Sequence, residues 1–405
     1  MSKVYITGAG VVSAIGCGKE ETLKSLLDGK SGIGRVRYLK TEHTELPVGE
    51  VKMSNEELCK ALELNPEETH SRTKLLGIIA LKEALEEAHI SRHAESSEAS
   101  RIHCEILHSV QDDGITFISG TTVGGMDITE RSFMQSGYSK EHLCGATTNA
   151  IADYFGIFGR TITPSTACSS ALNAIILGCS MIKAGMADMV VAGGTEALTM
   201  FHLNGFNSLM ILDKEPCRPF DATRAGLNLG EGAAYLVLES AESVKRRGVK
   251  PIGAVTGTAN RCDAFHQTAT SPEGEGATQS MLAALKEAGL RPEEIDYINA
   301  HGTATPNNDL TEIAAFRRVF GEQIPPFSST KGLTGHTTSA SGSIETVICL
   351  LAMQNGFIPA SHNCLTPMDP AAVPVMQTVK NTHLHHVMCN SFGFGGNDST
   401  IIVEN

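Results

Sequence analysis

Apolar positions in this chain switch between a period of two and a period near 3.6, and the same succession is written twice. Val4-Tyr-Ile-Thr-Gly8-Ala-Gly10 reads as a strand entering a turn, and Ala254-Val-Thr-Gly257-Thr-Ala259 repeats it. A helical stretch containing Ala80-Leu-Lys-Glu-Ala84 returns as Ala284-Leu-Lys-Glu-Ala288. Next come strands ending near Gly-Thr, Ile115 to Thr121 and Ile295 to Thr303. Two nearly uncharged helices follow, one after Cys168 and one over Thr346 to Gly356. Strands running into paired glycines, Gly193-Gly194 and Gly395-Gly396, precede closing strands Tyr235 to Glu239 and Thr400 to Glu404. Six features in one order predict a duplication, with halves at 1–245 and 246–405.

Alternating strands and helices predict an α/β fold with mixed, largely parallel sheets. The two uncharged helices cannot face water, so they belong between the sheets, giving five layers, α-β-α-β-α. The charged segment Ala241 to Lys250 is the expected junction of the halves, and the polar run His89 to Asp113 reads as an insertion.

Composition narrows the class. With 405 residues, 41% hydrophobic and 19% charged, the chain has material for a large core. A net charge of −13 argues against a broad nucleic-acid surface and against an anionic membrane. No apolar run reaches the ~18 residues of a membrane span, and Met1-Ser-Lys runs into a strand rather than a secretory leader. Eleven cysteines without a CxxC pair fit free thiols in a reducing cytoplasm.

Thr163-Pro-Ser-Thr-Ala-Cys168 leads straight into the first uncharged helix. Cys168 is expected in its first turn, where free N–H groups and the helix dipole favour a thiolate. The plain alternative is a structural cysteine, since free Cys is commonly buried. Ligands in open α/β sheets bind at the carboxyl ends of strands. In the second half those loops carry Asn299-Ala-His301-Gly-Thr303-Ala-Thr305 and Ser329-Thr-Lys331-Gly-Leu-Thr-Gly335-His336. By the repeat, the latter lies opposite the Cys168 loop. Any single histidine of fifteen is more often a surface or satisfied residue than a catalyst, but here two converge with a lysine and a cysteine. Glu345, on the uncharged helix, needs a partner, and Lys331 or a histidine is the candidate.

Thr-Ala-Cys168-Ser-Ser, His301-Gly-Thr-Ala-Thr-Pro, Lys331-Gly-Leu-Thr-Gly-His336 and Asn390-Ser-Phe-Gly-Phe-Gly-Gly396 together resemble the elongating β-ketoacyl-acyl-carrier-protein synthases of the thiolase fold. The likeness runs nearly end to end, through Arg218-Pro-Phe-Asp221 and Gly230-Glu-Gly232. It implies a duplicated thiolase-like fold and a decarboxylative Claisen condensation. In that scheme Cys168 carries the acyl chain. His301 and His336 stabilise the malonyl-derived enolate. Lys331 orients them, tied to Glu345. The N–H groups of Cys168 and Phe394 form an oxyanion hole, and Phe394 is the gate between Gly393 and Gly395. Thr303, Thr305, Val123 and Phe392 are implied substrate contacts. The resemblance also implies acyl carrier protein as partner, a homodimer or a heterodimer with a chain-length factor, and no cofactor or metal beyond the carrier's phosphopantetheine.

Two departures stand out. The family commonly follows its last glycines with Thr-Asn, and here Asn397-Asp398 stands instead. Basic docking positions are replaced by Asn65-Pro-Glu67-Glu68 and Met210, which points to weaker or relocated carrier docking and leaves a specialised polyene or polyketide pathway open. Gly8-Ala-Gly10 begins like a dinucleotide fingerprint, but Ser13 replaces the third glycine. The rival function is a chain-length-factor subunit, which shares the fold without condensing and typically lacks the cysteine.

Overall fold

The computed structural model describes residues 3–90, 114–136 and 140–405. The insertion expected over 89–113 falls, from residue 91 on, outside them. In the first half the strands are β1 (Val4–Ser13), β2 (Ile115–Gly120), β3 (Phe158–Ile162), β4 (Met189–Glu196) and β5 (Gly232–Glu239). The second half holds β6 (Gly253–Cys262), β7 (Tyr297–Asn299), β8 (Phe327–Ser328), β9 (His386–Gly393) and β10 (Asn397–Glu404). The helices that matter for the site are α1 (Arg72–Glu87), α2 (Ser170–Lys183), α3 (Met200–Ser208), α4 (Glu275–Ala288), α5 (Pro306–Phe320) and α6 (Ser341–Asn355).

The first five strands lie in the order β3-β2-β4-β5-β1, and the second five, counted from the opposite edge, β8-β7-β9-β10-β6. Directions match as well. β2 is parallel to β3 and β4, as β7 is to β8 and β9. β5 and β10 run antiparallel to both of their neighbours. The two expected sheets are not separate, because β1 and β6 pair antiparallel across a short seam. There Tyr5 faces Ala254, flanked by Val4 with Val255 and Ile6 with Gly253. Tyr5 and Ala254 stand equally far before Gly8 and Gly257, so the seam is self-complementary, like a two-fold contact within one chain.

Three apolar cores fill the spaces between five layers. Leu75, Ile78, Phe117 and Tyr235 lie between α1 and the first set of strands. Ile175, Ile344, Val347, Val4 and Val403 join the central helices α2 and α6 to both sets. Met281, Phe316, Met388 and Ile402 fill the far side beneath α4 and α5. α6 is buried from Ser341 to Met353. α2 is less enclosed than its composition predicts, since Asn173, Ile176 and Leu177 are half-buried and Ser180 is exposed. The Ala241–Arg247 junction is a short helix capped by Ser240, with Arg247 paired to the buried Glu239.

The glycines that mimic a nucleotide fingerprint serve close packing. A methyl group on Gly8 would lie 2.2 Å from the Ala84 carbonyl oxygen, and one on Gly10 would lie 2.0 Å from that of Ala80. Gly257 meets Ala284 in the same way, at 2.3 Å. The repeated alanine helix therefore lies directly on a strand glycine in both halves, which is why both residue types recur. Gly10→Ala must push α1 off the sheet and should destabilise the fold by about 1–3 kcal/mol. Urea unfolding midpoints of the variant and parent would measure this; an unchanged midpoint would refute the packing role.

Candidate active site

The Cys168 loop is shaped by its neighbours. Ala167 has φ +53, a left-handed turn that non-glycine residues seldom adopt. Ser170 Oγ accepts from Thr166 N–H at 2.8 Å and donates to the Ala167 carbonyl at 2.7 Å, locking that turn. Cys168 lies two residues ahead of α2 rather than in its first turn, which corrects the expected placement. Its side chain is buried. Burial pushes the thiol up to about 11, and the Lys331 charge and Phe394 N–H offset only part of this. The expected thiolate is also corrected: the sulfur rests as a thiol.

His336 Nε2 lies 3.1 Å from Cys168 Sγ. Its Nδ1 is 3.0 Å from Ser341 Oγ, and its backbone N–H donates to the Asn228 carbonyl at 2.7 Å. The His301 ring stands 5.4 Å from that of His336, centroid to centroid, at 82°. Both imidazoles are held well below the ordinary histidine value, first by burial and then by the Lys331 charge. They are therefore neutral.

Lys331, 1% exposed, reaches into this cluster from the end of β8. Its Nζ donates to the His301 carbonyl at 2.6 Å, sits 3.4 Å from His301 Nδ1, and pairs with Glu345 Oε1. An ammonium can only donate, so His301 Nδ1 is the acceptor and the ring proton is assigned to Nε2. Glu345 is pushed up to about 7 by burial, with Lys331 opposing. Its Oε2 has no hydrogen-bond partner.

The remaining candidates surround this centre unequally. Phe392 packs against the His301 ring at 5.8 Å. Phe394 stacks on Phe206 of α3 at 5.8 Å and 21°, and its N–H is directed at Cys168. The positive-φ glycines beside it are Gly395 and Gly396, at +80 and +79. Gly393 is instead a close-approach position, where a methyl group would lie 3.2 Å from Cys168 N. Thr303 and Thr305 hydroxyls are 2.9 Å apart in the loop after His301. Val123 is buried, its N–H 3.4 Å from Glu196.

Comparison with known proteins decides the family. Residues 1–244 match the Beta-ketoacyl synthase N-terminal domain, and residues 252–365 match the Beta-ketoacyl synthase C-terminal domain. The chain belongs to the β-ketoacyl synthase family. This synthase is an acyltransferase-type condensing enzyme. It is 33% identical over 427 residues to the 3-oxoacyl-[acyl-carrier-protein] synthase 2 of Vibrio cholerae, covering 99% of each chain. Against the Staphylococcus aureus (strain COL) protein of the same name, identity is 30% over 422 residues, covering 99% of this chain and 98% of the relative. Among solved structures, the ishigamide ketosynthase/chain length factor aligns with TM-score 0.88 at 28% identity, covering 100% of this chain and 99% of that one. A ketosynthase in complex with its chain length factor from Xenorhabdus doucetiae aligns with TM-score 0.81 at 30% identity, covering 100% and 98%.

Two parts of the synthase's site escaped the sequence reading. Glu312 on α5 accepts from the His301 and Gly302 N–H groups, both at 2.8 Å, and fixes the histidine loop. Burial pushes its carboxyl up to about 7. The signal was available: Asp309 and Glu312, one turn apart, both face back to the loop that precedes their helix. The second part is Glu196, fully buried at the end of β4. It accepts from Thr121 Oγ1 at 2.8 Å and from Ser339 Oγ at 2.5 Å, and also binds Thr122. His202 of α3 joins this cluster through Thr122 Oγ1 at 3.2 Å and Thr199 Oγ1 at 3.1 Å. No motif links these residues, which meet only in the fold.

Lys331→Ala strands a buried carboxylate and should cost about 3–5 kcal/mol of stability. Glu345→Gln keeps an acceptor for Lys331 and should cost less. Equal denaturation midpoints for Lys331→Ala and the parent would show that the pair contributes nothing.

Proposed function

We propose that this synthase catalyses decarboxylative condensation of an acyl-cysteine with malonyl-acyl carrier protein, and that Cys168, His301, His336 and Lys331 carry it. The approach of His336 Nε2 to Cys168 Sγ at 3.1 Å, with His301 beside it, is the observation that supports this most directly. In the first step the sulfur attacks the acyl thioester carbonyl. The bond to the carrier sulfur breaks, and the thiol proton leaves with the carrier as its free thiol. The N–H groups of Cys168 and Phe394 hold the oxyanion that forms in between.

The second step uses malonyl thioester bound at the histidines. The bond to its carboxylate breaks, CO2 departs, and the electron pair becomes an enolate. His301 Nε2–H and His336 Nε2–H donate to the enolate oxygen. Ser341 Oγ, 3.0 Å from His336 Nδ1, can donate to it in that tautomer, and Lys331, which only donates, selects it at His301. The enolate carbon then attacks the acyl-cysteine, and the sulfur departs and takes up one proton from solvent water, the proton that the condensation consumes overall. The product is a 3-oxoacyl thioester two carbons longer.

Phe394 acts as the gate, with Gly395 and Gly396 as its hinge. Phe392 and the Thr303–Thr305 pair face the malonyl arm, and Val123 shapes the acyl wall. Glu345 holds Lys331 in place. The boundary between the catalytic halves lies at 245/246, within the Ala241–Arg247 helix. No cofactor is needed beyond the phosphopantetheine that carries both substrates. The synthase works in the cytoplasm, consistent with described cysteines that are all free; among the described residues no helix is long and apolar enough to cross a membrane. It assembles as a dimer through edge strand β3, exposed at Gly159 and Thr161. The second subunit is another copy or a chain-length factor. Glu67, Glu68 and Met210 are exposed where basic residues usually meet the acidic carrier, so docking shifts elsewhere.

Cys168→Ala should abolish condensation, while Cys168→Gln should retain or gain malonyl decarboxylation, followed as CO2 release. Loss of either histidine should slow decarboxylation by about 10²–10⁴-fold and acyl loading far less, read by mass spectrometry of the acyl-enzyme. Normal decarboxylation in both His301→Ala and His336→Ala would overturn the enolate roles.

A further inference from the structure

Asp398 lies outside the machinery described so far. It is the second residue of β10, opposite Phe392 on β9 and Arg261 on β6. Its side chain is 1% exposed, and neither carboxyl oxygen has a hydrogen-bond partner. An ionised carboxylate so placed is costly.

Its surroundings add to that cost. A methyl group on Gly276, in the first turn of α4, would lie 2.0 Å from Asp398 Oδ2 and 3.0 Å from Asp263 Cβ. A methyl group on Gly396 would lie 2.2 Å from Asp263 Oδ1. The two aspartates are thus packed together between α4 and the glycine turn that follows Phe394. Glu312 of α5 acts on Asp398 from the histidine side.

Lys331 acts on Glu312, but among the described residues no basic group pairs with Asp398 or Asp263. Arg261 is exposed and donates to the Asn260 carbonyl at 2.7 Å. Glu275 and Arg318 pair with each other at the outer end of α4. His266 and Cys262 are exposed, and His301, behind Phe392, is neutral. Among the described residues none forms an ion pair with Asp398.

The loop that carries Asp263 also holds the gate. Asp263 N–H donates to the Gly396 carbonyl at 3.2 Å, and Gly395 N–H donates to that of Gln267 at 2.9 Å. Cys262 Sγ donates to the Gly395 carbonyl at 3.4 Å. The Asp263 carboxylate accepts from Phe265 N–H at 3.1 Å and Ser271 N–H at 3.0 Å, keeping the loop folded.

We propose that Asp398 is a positioning residue for the gate. As a neutral acid it lets the 262–271 loop close on the 393–396 turn. Once ionised beside Asp263 and Glu312, it loosens that turn and withdraws the Phe394 N–H from Cys168. Burial, then Asp263 and Glu312, push its carboxyl up to about 8, so the change falls at mildly alkaline pH. The folded chain keeps a proton that the unfolded chain has lost, so this group's contribution to stability declines as pH rises from the ordinary carboxylate range to about 8. The inference rests on Phe394 acting as the gate, and the test separates the two.

Asp398→Asn removes the charge at nearly constant shape, and Asp263→Asn removes its neighbour's charge. Hydrogen exchange of amides 393–397, corrected for intrinsic rate, and acyl transfer to Cys168 would be followed from pH 6.5 to 9 in the intact protein. The parent should lose protection as pH passes about 8, and Asp398→Asn should not. One unit above the midpoint only about a tenth of the parent keeps its proton, so Asp398→Asn should acylate about tenfold faster there and equally at pH 6.5. Asp263→Asn should move the step to lower pH, a shift that a merely structural role does not produce. Parallel pH profiles for the parent and Asp398→Asn in both measurements would overturn the proposal. An exchange step in a protein that acylates at no pH would sink the condensing mechanism and leave the Asp398 latch standing.

Discussion

The buried pair of Lys331 and Glu345 is the constraint on which the rest of the centre depends. Removing both charges from water costs several kcal/mol, and their attraction compensates only when geometry and further hydrogen bonds are good. The ammonium meets that condition with the Glu345 carboxylate and the His301 carbonyl, while Glu345 keeps one oxygen unpartnered. Its charge then acts on every reactive group nearby. It faces His301 Nδ1 and so selects the donor tautomer, it adds to burial in holding both imidazoles neutral, and it pulls against burial at Cys168. Burial thus sets the state of all three side chains, and this one cation reinforces it at the two imidazoles and opposes it at the sulfur.

The second half supplies that cation and its partners, and the shared core brings Cys168 of the first half to them. Lys331 follows β8, His301 follows β7, and Glu345 lies on the central helix α6. Cys168 comes from the matching position ahead of α2 in the other half. The helices approach closely: a methyl group on Gly342 would lie 2.6 Å from Leu172 Cβ. Ser391 Oγ donates to the Cys168 carbonyl at 3.0 Å, tying β9 to the Cys168 loop. The seam, the central layer and the site are therefore consequences of one self-complementary arrangement.

Much of this was legible before any coordinates. The duplication showed in strand glycines and alanine helices because close helix-to-strand packing permits few residue types at those points. The residues of the motif clusters lie together in the fold, and such residue types at strand ends are seldom needed for packing. What stayed hidden depends on distances across the fold. The seam between β1 and β6 is set by three residue pairs without distinctive chemistry. Glu196 and His202 meet through threonine hydroxyls, and Ala167 takes a left-handed turn that its residue type does not advertise. The ionisation of Cys168 was misread for a related reason. A helix start favours a thiolate, but burial of the sulfur outweighs it, and burial is not written in local sequence.

Enclosure has opposite effects on acid and base, and here that produces a single working state. Burial raises the thiol and lowers the imidazoles, so sulfur and rings are all uncharged before substrate arrives. A preformed thiolate–imidazolium pair would place positive charge on the rings and strip the sulfur of its proton in advance. Neutral rings instead keep one directed N–H each, which is what a developing enolate oxygen requires. In the proposed condensation the thiol gives up its proton only as its bond to the acyl carbon forms, when the carrier sulfur is leaving to receive it. The same low dielectric that makes Cys168 a weak acid therefore strengthens each hydrogen bond to the charge that appears later.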